Sequence, residues 1–379
     1  MIGAFSLFMD VKMKTRLEKL YAAMEEAHLD AIALNPGPTL AYLTGLTFHL
    51  MERPVVMFFV PGKDPALVLP TLEMPKLQEL PYPANAFPYP EDPSAWNDVF
   101  RTAAEHLSLD DKRIGVEPRA LRLLEFRYIQ AAAPSADFPD ASEALGSLRL
   151  CKDPLEVQKM RKAVEIAEAA LKSTIPLMKI GASERELAAE LTIQLLRHGS
   201  APELPFAPIV SCGPNSANPH AAPSERLLQP GDLLVVDWGA SFDGYISDLT
   251  RTFVVGPVDA ELVKIHEIVQ QANAAGRAAA KLGASAGDVD RAVRGVIEQA
   301  GYGAYFTHRT GHGIGLEAHE PPYIRGDNQQ ILQPGMTFTI EPGIYLPNRG
   351  GVRIEDNMLI TPDGAACLST LERGIVTVG

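Results

Sequence analysis

Three apolar runs carry acids where a core-facing strand should have none: Leu234-Val235-Val236-Asp237-Trp238, Thr339-Ile340-Glu341-Pro342 and Val352-Arg353-Ile354-Glu355-Asp356. Burying an ionised carboxylate costs several kcal/mol unless positive charge compensates it. The basic residues near these runs are too few to do so. One cation, or two, is the economical explanation, because a dinuclear centre holds four or five carboxylate and imidazole ligands together. Any fold this chain adopts must therefore bring distant strands to one place.

The composition can supply the surrounding core. With 379 residues, 46% apolar and 21% charged, the chain reads as globular, either two domains or one large catalytic domain with an addition. Lys and Arg number 34 against 47 Asp and Glu, a net charge of −13. That sign repels phosphate backbones and anionic lipid, so neither nucleic acid nor membrane is expected as a partner. Cys151, Cys212 and Cys367 are too few and too scattered for a disulfide framework or a thiolate cage, which points to a reducing, cytoplasmic setting. Ile2 to Phe8 is apolar but short and lacks a basic lead, so it reads as a loose arm. No window reaches the roughly 18 to 20 apolar residues of a membrane span, and a soluble protein is expected.

Helix and strand patterns alternate in the first part: an amphipathic helix from about Asp10 to His28, a strand Ala31 to Leu34, and apolar runs Val55 to Val60 and Leu67 to Leu69. This favours an α/β layer. Nine prolines between Pro61 and Pro93 predict an irregular surface stretch. A helix over Ser94 to Leu107 follows, then a strand and helix through Gln130, and Pro134 to Ser147 reads as the connection to a second domain. There, Asp153-Pro154-Leu155-Glu156 and Ser183-Glu184-Arg185-Glu186 are capping boxes opening two helices, the first running to about Ile175 and the second stopped at His198-Gly199. Further helices are expected at about Ala260 to Leu282 and Gly287 to Ala300. Strands are expected at Leu233 to Trp238, Ile246 to Val255, Met336 to Ile340 and Val352 to Ile360. Paired helices against antiparallel strands suggest an α+β catalytic domain, in which each helix pair feeds strands as an internal duplication would.

Asp237 and Asp248 flank Gly239-Ala240-Ser241-Phe242-Asp243-Gly244, a turn-rich link that would pair two strands antiparallel and let the two acids converge. Arg353 and Glu355 lie two apart on an expected strand, hence on one face, where the arginine can brace carboxylates. His312 lies in Gly311-His312-Gly313-Ile314-Gly315, whose small residues permit close backbone approach and leave the imidazole accessible. Taken singly these signals are weak, since an Asp at a strand end is ordinarily a turn or cap and a His between glycines a loop residue. The glycine run is no phosphate loop, for it lacks the downstream glycine and lysine of those motifs.

Taken in order, Asn218-Pro219-His220, Asp237-Trp238-Gly239, Ser247-Asp248-Leu249-Thr250-Arg251-Thr252, Gly311-His312-Gly313-Ile314-Gly315, His319-Glu320, Thr339-Ile340-Glu341-Pro342-Gly343 and Arg353-Ile354-Glu355-Asp356 resemble the pita-bread metallopeptidases. The resemblance is strongest to the proline-specific branch, prolidase (Xaa-Pro dipeptidase) and aminopeptidase P. It implies a creatinase-like α/β amino-terminal domain over residues 1–147 and an α+β pita-bread (creatinase/aminopeptidase-like) catalytic domain over 148–379. It also implies five metal ligands, Asp237, Asp248, His312, Glu341 and Glu355. Asp248 and Glu355 would bridge two divalent ions, Asp237 completing one and His312 with Glu341 the other. Manganese is the first choice for the metal, with cobalt or zinc as alternatives.

The activity implied is hydrolysis of the bond before proline by a metal-activated hydroxide. His319 would stabilise the carbonyl oxygen, Glu341 would carry the proton, and His220 and His308 would position the substrate. Phe206 and Tyr345 would form an apolar wall for the pyrrolidine ring, although such aromatics are often core residues. Arg309 resembles an arginine that some prolidases carry beside the substrate, a salt bridge within the fold being its other reading, and Arg353 is the brace. The family also implies a homodimer in which a loop, here Leu46 to Arg53 with His49, reaches over the partner's site. An Xaa-Pro dipeptidase acting on proline-containing dipeptides is the first expectation, an Xaa-Pro aminopeptidase acting on longer peptides the second. Methionine aminopeptidase usually lacks the preceding domain, creatinase lacks the full ligand set, and a non-catalytic binding module of the same fold would have lost ligands that this chain retains.

Overall fold

The computed structural model describes residues 15–379, so the Ile2 to Phe8 arm and the start of the first helix lie outside the described residues. The chain divides into two units, residues 1–149 and 150–379. No helix among the described residues is long and apolar enough to cross a membrane.

The first unit is a five-stranded mixed sheet in the order Asn85–Tyr89, Ala66–Pro70, Val56–Phe59, Ala31–Leu34, Ile114–Val116. Helices 15–26, Pro38–Thr44, Trp96–Leu107, Leu123–Ala132 and Ser142–Leu150 accompany it. Phe58, Tyr89, Trp96, Phe100, Ile114 and Ile129 share one buried core. Two expectations fail in this unit. The proline-rich stretch holds a strand, Asn85–Tyr89, and a 3₁₀ turn, Thr71–Glu79. Proline is tolerated there because this strand lies at the edge of the sheet, where a missing N–H need not break a ladder. The expected interdomain connection is also structured: Ile114 N donates to Asp137 O and Val116 N to Pro139 O, and Ser142 begins a helix.

The second unit is built twice over. Helices Pro154–Thr174 and Glu184–Arg197 each begin in a complete capping box, with Asp153 and Ser183 as the caps. They pack with Trp238, Leu249 and Phe253 of a four-stranded sheet ordered Thr377–Val378, Leu249–Val255, Leu233–Trp238, Ile209–Cys212. Helices Ala260–Ala279 and Ala286–Gln299 pack with Phe338, Ile340, Ile344 and Val352. Those residues belong to a five-stranded sheet ordered Glu320–Ile324, Gly311–Gly313, Thr337–Ile340, Asp356–Thr361, Gly364–Cys367 and to the hairpin Gly343–Leu346/Gly350–Arg353.

Two strands expected to be continuous are broken, and both breaks carry acids of interest. Tyr245–Ile246 pairs with Ser241–Phe242, and a new strand starts only at Leu249, leaving Asp248 between them. Likewise Gly350–Arg353 and Asp356–Thr361 join different sheets, leaving Glu355 between them. A single antiparallel bridge, Thr250 to Glu355, ties the two sheets at that point.

Candidate metal centre

Asp237 is the penultimate residue of the strand Leu233–Trp238 and pairs with Thr250 on the neighbouring strand, so the turn-rich link does bring Asp237 and Asp248 to one end of the ladder. The Asp248 backbone is clasped by one side chain: Asp248 N donates to Asn357 Oδ1 at 3.2 Å and Asn357 Nδ2 donates to Asp248 O at 2.6 Å. Glu355 is fixed through its own N–H, which donates to Thr250 O at 3.0 Å, and its Oε2 accepts from the Thr250 hydroxyl at 2.7 Å. Atoms of Asp248, His312 and Glu355 lie within 4.8 Å of one another, close enough to share a cation.

His312 reaches this point because glycines flank it. A Cβ at Gly311 would collide with the Thr339 carbonyl and one at Gly313 with the Pro321 carbonyl, so only glycine permits strands this close. The imidazole is not accessible as expected: it is buried, 2% exposed, and approached only from the cavity. Its Nδ1 lies 3.1 Å from Gly313 O and so carries the proton. Nε2 is thereby left as a lone pair, 3.4 Å from Glu341 Oε1 and 3.7 Å from Asp248 Oδ2.

The electrostatics call for added positive charge. Burial, then mutual repulsion, pushes Asp248 and Glu355 well above the usual carboxylate range. Burial raises Asp237 against the pull of Arg353, and raises Glu341 to about 7. Burial likewise holds His312 well below its ordinary value, hence neutral. Asp237 Oδ1 and Glu355 Oε1 are buried without a hydrogen-bond partner in the protein. Buried carboxylate oxygens without donors beside a lone-pair imidazole suit divalent cations, and the donor set of four carboxylates and one imidazole fits them.

Arg353 braces the cluster but from a different geometry than expected. Its strand ends before Glu355, so the two are not strand neighbours. Its Nη2 donates to Asp237 Oδ2 at 2.6 Å and its Nε to the Thr250 hydroxyl at 3.1 Å, which in turn holds Glu355. Its Nη1 donates to the Tyr345 hydroxyl at 3.0 Å. Tyr345 therefore corrects the expected apolar wall. The phenol is buried, does not line the cavity, and lies 2.9 Å from His308 Nε2. His308 Nδ1 faces the Arg309 carbonyl at 2.8 Å and must be the protonated nitrogen, so Tyr345 donates to Nε2. Burial lowers His308 to about 4, consistent with that neutral tautomer.

All five candidate ligands line one cavity of about 800 Å³, together with Phe206, His220, His308, Arg309, His319 and Arg353. His319 is exposed and its ring centroid lies 4.1 Å from that of His312. Arg309 lies 4.8 Å over the Tyr323 ring. His49 is exposed in the first unit, within a segment outside helix and strand. Sequence reasoning missed Thr250, Asn357 and Arg325. Thr250, two residues past Asp248 in the quoted motif, was legible from strand alternation, whereas Asn357 and Arg325 carried no signal short of the fold.

Four acids and an imidazole converging in a cavity wide enough for a peptide, with backbone and side-chain braces behind them, define a metal-dependent hydrolase. The chain belongs to metallopeptidase family M24: residues 158–362 match that family, and residues 16–151 match the Creatinase/Prolidase N-terminal domain. It is 34% identical over 349 residues to the Xaa-Pro dipeptidase of Lactobacillus delbrueckii subsp. lactis, covering 92% of this chain and 95% of that one. Among solved structures it resembles a dipeptidase from Pyrococcus horikoshii OT3 (38% identity, TM-score 0.90, 96% of this chain and 100% of that one). It also resembles a prolidase from Thermococcus sibiricus (33% identity, TM-score 0.91, 96% and 99%).

Proposed function

We propose that the chain is an Xaa-Pro dipeptidase, hydrolysing the bond between a residue and a C-terminal proline. The observation that carries this is the convergence of Asp237, Asp248, His312, Glu341 and Glu355 on one cavity, with two carboxylate oxygens unpartnered, in a chain whose similarity to an Xaa-Pro dipeptidase spans 92% of its length. These five residues would hold two divalent ions, manganese first, cobalt or zinc next. When bound, the ions supply Lewis acidity that polarises a carbonyl and makes water acidic near neutral pH.

The remaining work falls to side chains. Glu341, whose carboxylate lines the cavity beside His312, can take a proton from the attacking water and deliver it to the departing proline nitrogen. His319, exposed beside His312, stabilises the oxygen on which charge develops. Neutral His308 positions the peptide together with His220, and Phe206, Ile209 and Pro219 offer the pyrrolidine ring apolar surface in place of Tyr345. Arg309 meets the proline carboxylate.

The reading extends to a cytoplasmic homodimer in which the loop Leu46 to Arg53 covers the partner's site. Exposed His49, Leu50 and Met51 support that loop as a contact, and light scattering showing only monomer would remove the dimer. The deciding experiment is an assay of Xaa-Pro against Xaa-Pro-Yaa peptides with defined metal loading. Dipeptide cleavage is expected. Strong cleavage of the tripeptide alone would replace the reading with an Xaa-Pro aminopeptidase, and inactivity with two ions bound per chain would replace it with a non-catalytic binding module.

A further inference from the structure

The loop between the strands Gly311–Gly313 and Glu320–Ile324 carries His319 at its far end. Its near end is pinned, for Thr337 Oγ1 donates to Ile314 O at 2.6 Å and Ile246 N donates to Gly315 O at 3.0 Å. His319 itself is exposed, with its ring centroid 4.1 Å from that of buried His312. The next residue, Glu320, pairs with Gly313 to close the loop and is buried.

A buried lysine holds Glu320. Lys152 Nζ donates to Glu320 Oε1 at 2.5 Å, the two side chains being 2% and 3% exposed. The lysine is fixed at its own backbone, where its N–H donates to Gly335 O at 2.8 Å. The pair lies against Gly315: a Cβ there would stand 2.6 Å from Glu320 Oε1 and 2.8 Å from Lys152 Cε. One ion pair thus abuts both ends of the loop, although neither of its residues lines the cavity. Stability alone does not account for it, because desolvating two charges is costly and apolar side chains of similar volume often hold a fold as well. Position does: a buried, satisfied polar pair tolerates little displacement, which leaves the backbone at His319 and Glu320 one place to sit.

We propose that Lys152 and Glu320 are positioning residues that fix the His319 imidazole beside His312, where it meets the substrate carbonyl oxygen. The consequence for turnover rests on the Xaa-Pro reading above, whereas the consequence for the placement of the ring does not.

The test compares wild type, K152M/E320Q, H319A and the triple variant. In chelated protein, ring-proton NMR reads the placement directly, because the His319 protons lie in the ring current of His312. Removing both charges should shift the His319 resonances and leave those of His198, which is exposed and bonded to Ser173, in place. In metal-loaded protein with Ala-Pro as substrate, K152M/E320Q should lower kcat about 10- to 100-fold with KM within about twofold, the loss expected when a group that acts in the transition state is misplaced by about 1 Å. In the H319A background the same two substitutions should change kcat by less than about twofold. Equal losses in both backgrounds, or none in either, overturn the assignment, as do unmoved His319 resonances. Where K152M/E320Q does not fold, E320D, which keeps both charges but shortens the reach, takes its place with the same expectations. Metal-loaded wild type that cleaves no Xaa-Pro peptide overturns the dipeptidase reading instead, and the NMR comparison then decides the positioning by itself.

Discussion

At the scale of single residues, the cluster depends on a relay of hydrogen bonds in the cavity wall: Asp237 to Arg353, Arg353 to Tyr345, Tyr345 to His308. Lysine cannot replace Arg353, because one ammonium cannot reach Asp237, Thr250 and Tyr345 with the directions of a planar fork. Arg353→Lys should therefore lower metal affinity about 10- to 100-fold, the usual range when a ligand's brace is lost, measured by calorimetric titration of chelated protein. Tyr345→Phe tests the relay's other end. The phenol donates to the unprotonated Nε2 of His308, a bond that exists only with the neutral ring, so its removal should raise the imidazole's affinity for protons from about 4. Ring-proton NMR would follow the shift, and an unchanged titration would mean that the bond does not favour the neutral ring. The sequence made Arg353 legible as a brace but not its partners. Tyr345 was misread because an aromatic four residues beyond Glu341 looks the same whether it presents its ring to the cavity or its hydroxyl to a buried arginine.

At the scale of elements, local chemistry was readable and long-range pairing was not. The capping boxes at Asp153 and Ser183 satisfy helix N-termini with side chains three residues apart, so spacing alone identifies them. The strand Leu233–Trp238 was equally plain, an apolar run bounded by turn residues. The breaks at Asp248 and Glu355 were hidden because polar residues between apolar ones also fit the alternation of a half-buried strand; what interrupts each strand is a change of pairing partner, which no local pattern records. The acids sit at these breaks for a physical reason. A continuous ladder would cover the space beside them, whereas a change of sheet leaves a cleft into which carboxylates can point. The convergence also depends on tight strand spacing at Gly311, where an added Cβ meets backbone rather than a yielding side chain. Gly311→Ala should cost about 1 to 3 kcal/mol by forcing strands apart, with loss of metal affinity greater than that of a surface Gly295→Ala control, whose Cβ would meet open space. Thermal melts with and without added cation separate the two effects.

At the scale of the whole molecule, fold and metal are coupled through protons. In the metal-free chain, Glu341 holds its proton up to about 7 where the unfolded chain loses it near 4.5, and Asp237, Asp248 and Glu355 are raised in the same direction. The folded state therefore binds more protons than the unfolded state between those limits, and stability falls as pH rises. His308 and His312 act oppositely. Their folded values lie below 6.5, so the unfolded state binds more protons beneath that pH and stability rises towards it. The two tendencies compete in acid, but above about pH 6.5 the histidine contribution fades as the unfolded state also loses those protons, while the carboxylates continue to act. Chelated protein should consequently lose thermal stability between about pH 6.5 and 8, as repulsion among the buried acids grows. Divalent cation should reverse the slope, because metal replaces the proton as the compensating charge and binds more tightly as protons leave. The measurement is the melting temperature across that range with chelator and with excess manganese. Parallel curves would show that the acids are compensated within the protein, and the economical argument for a bound cation would lose its footing.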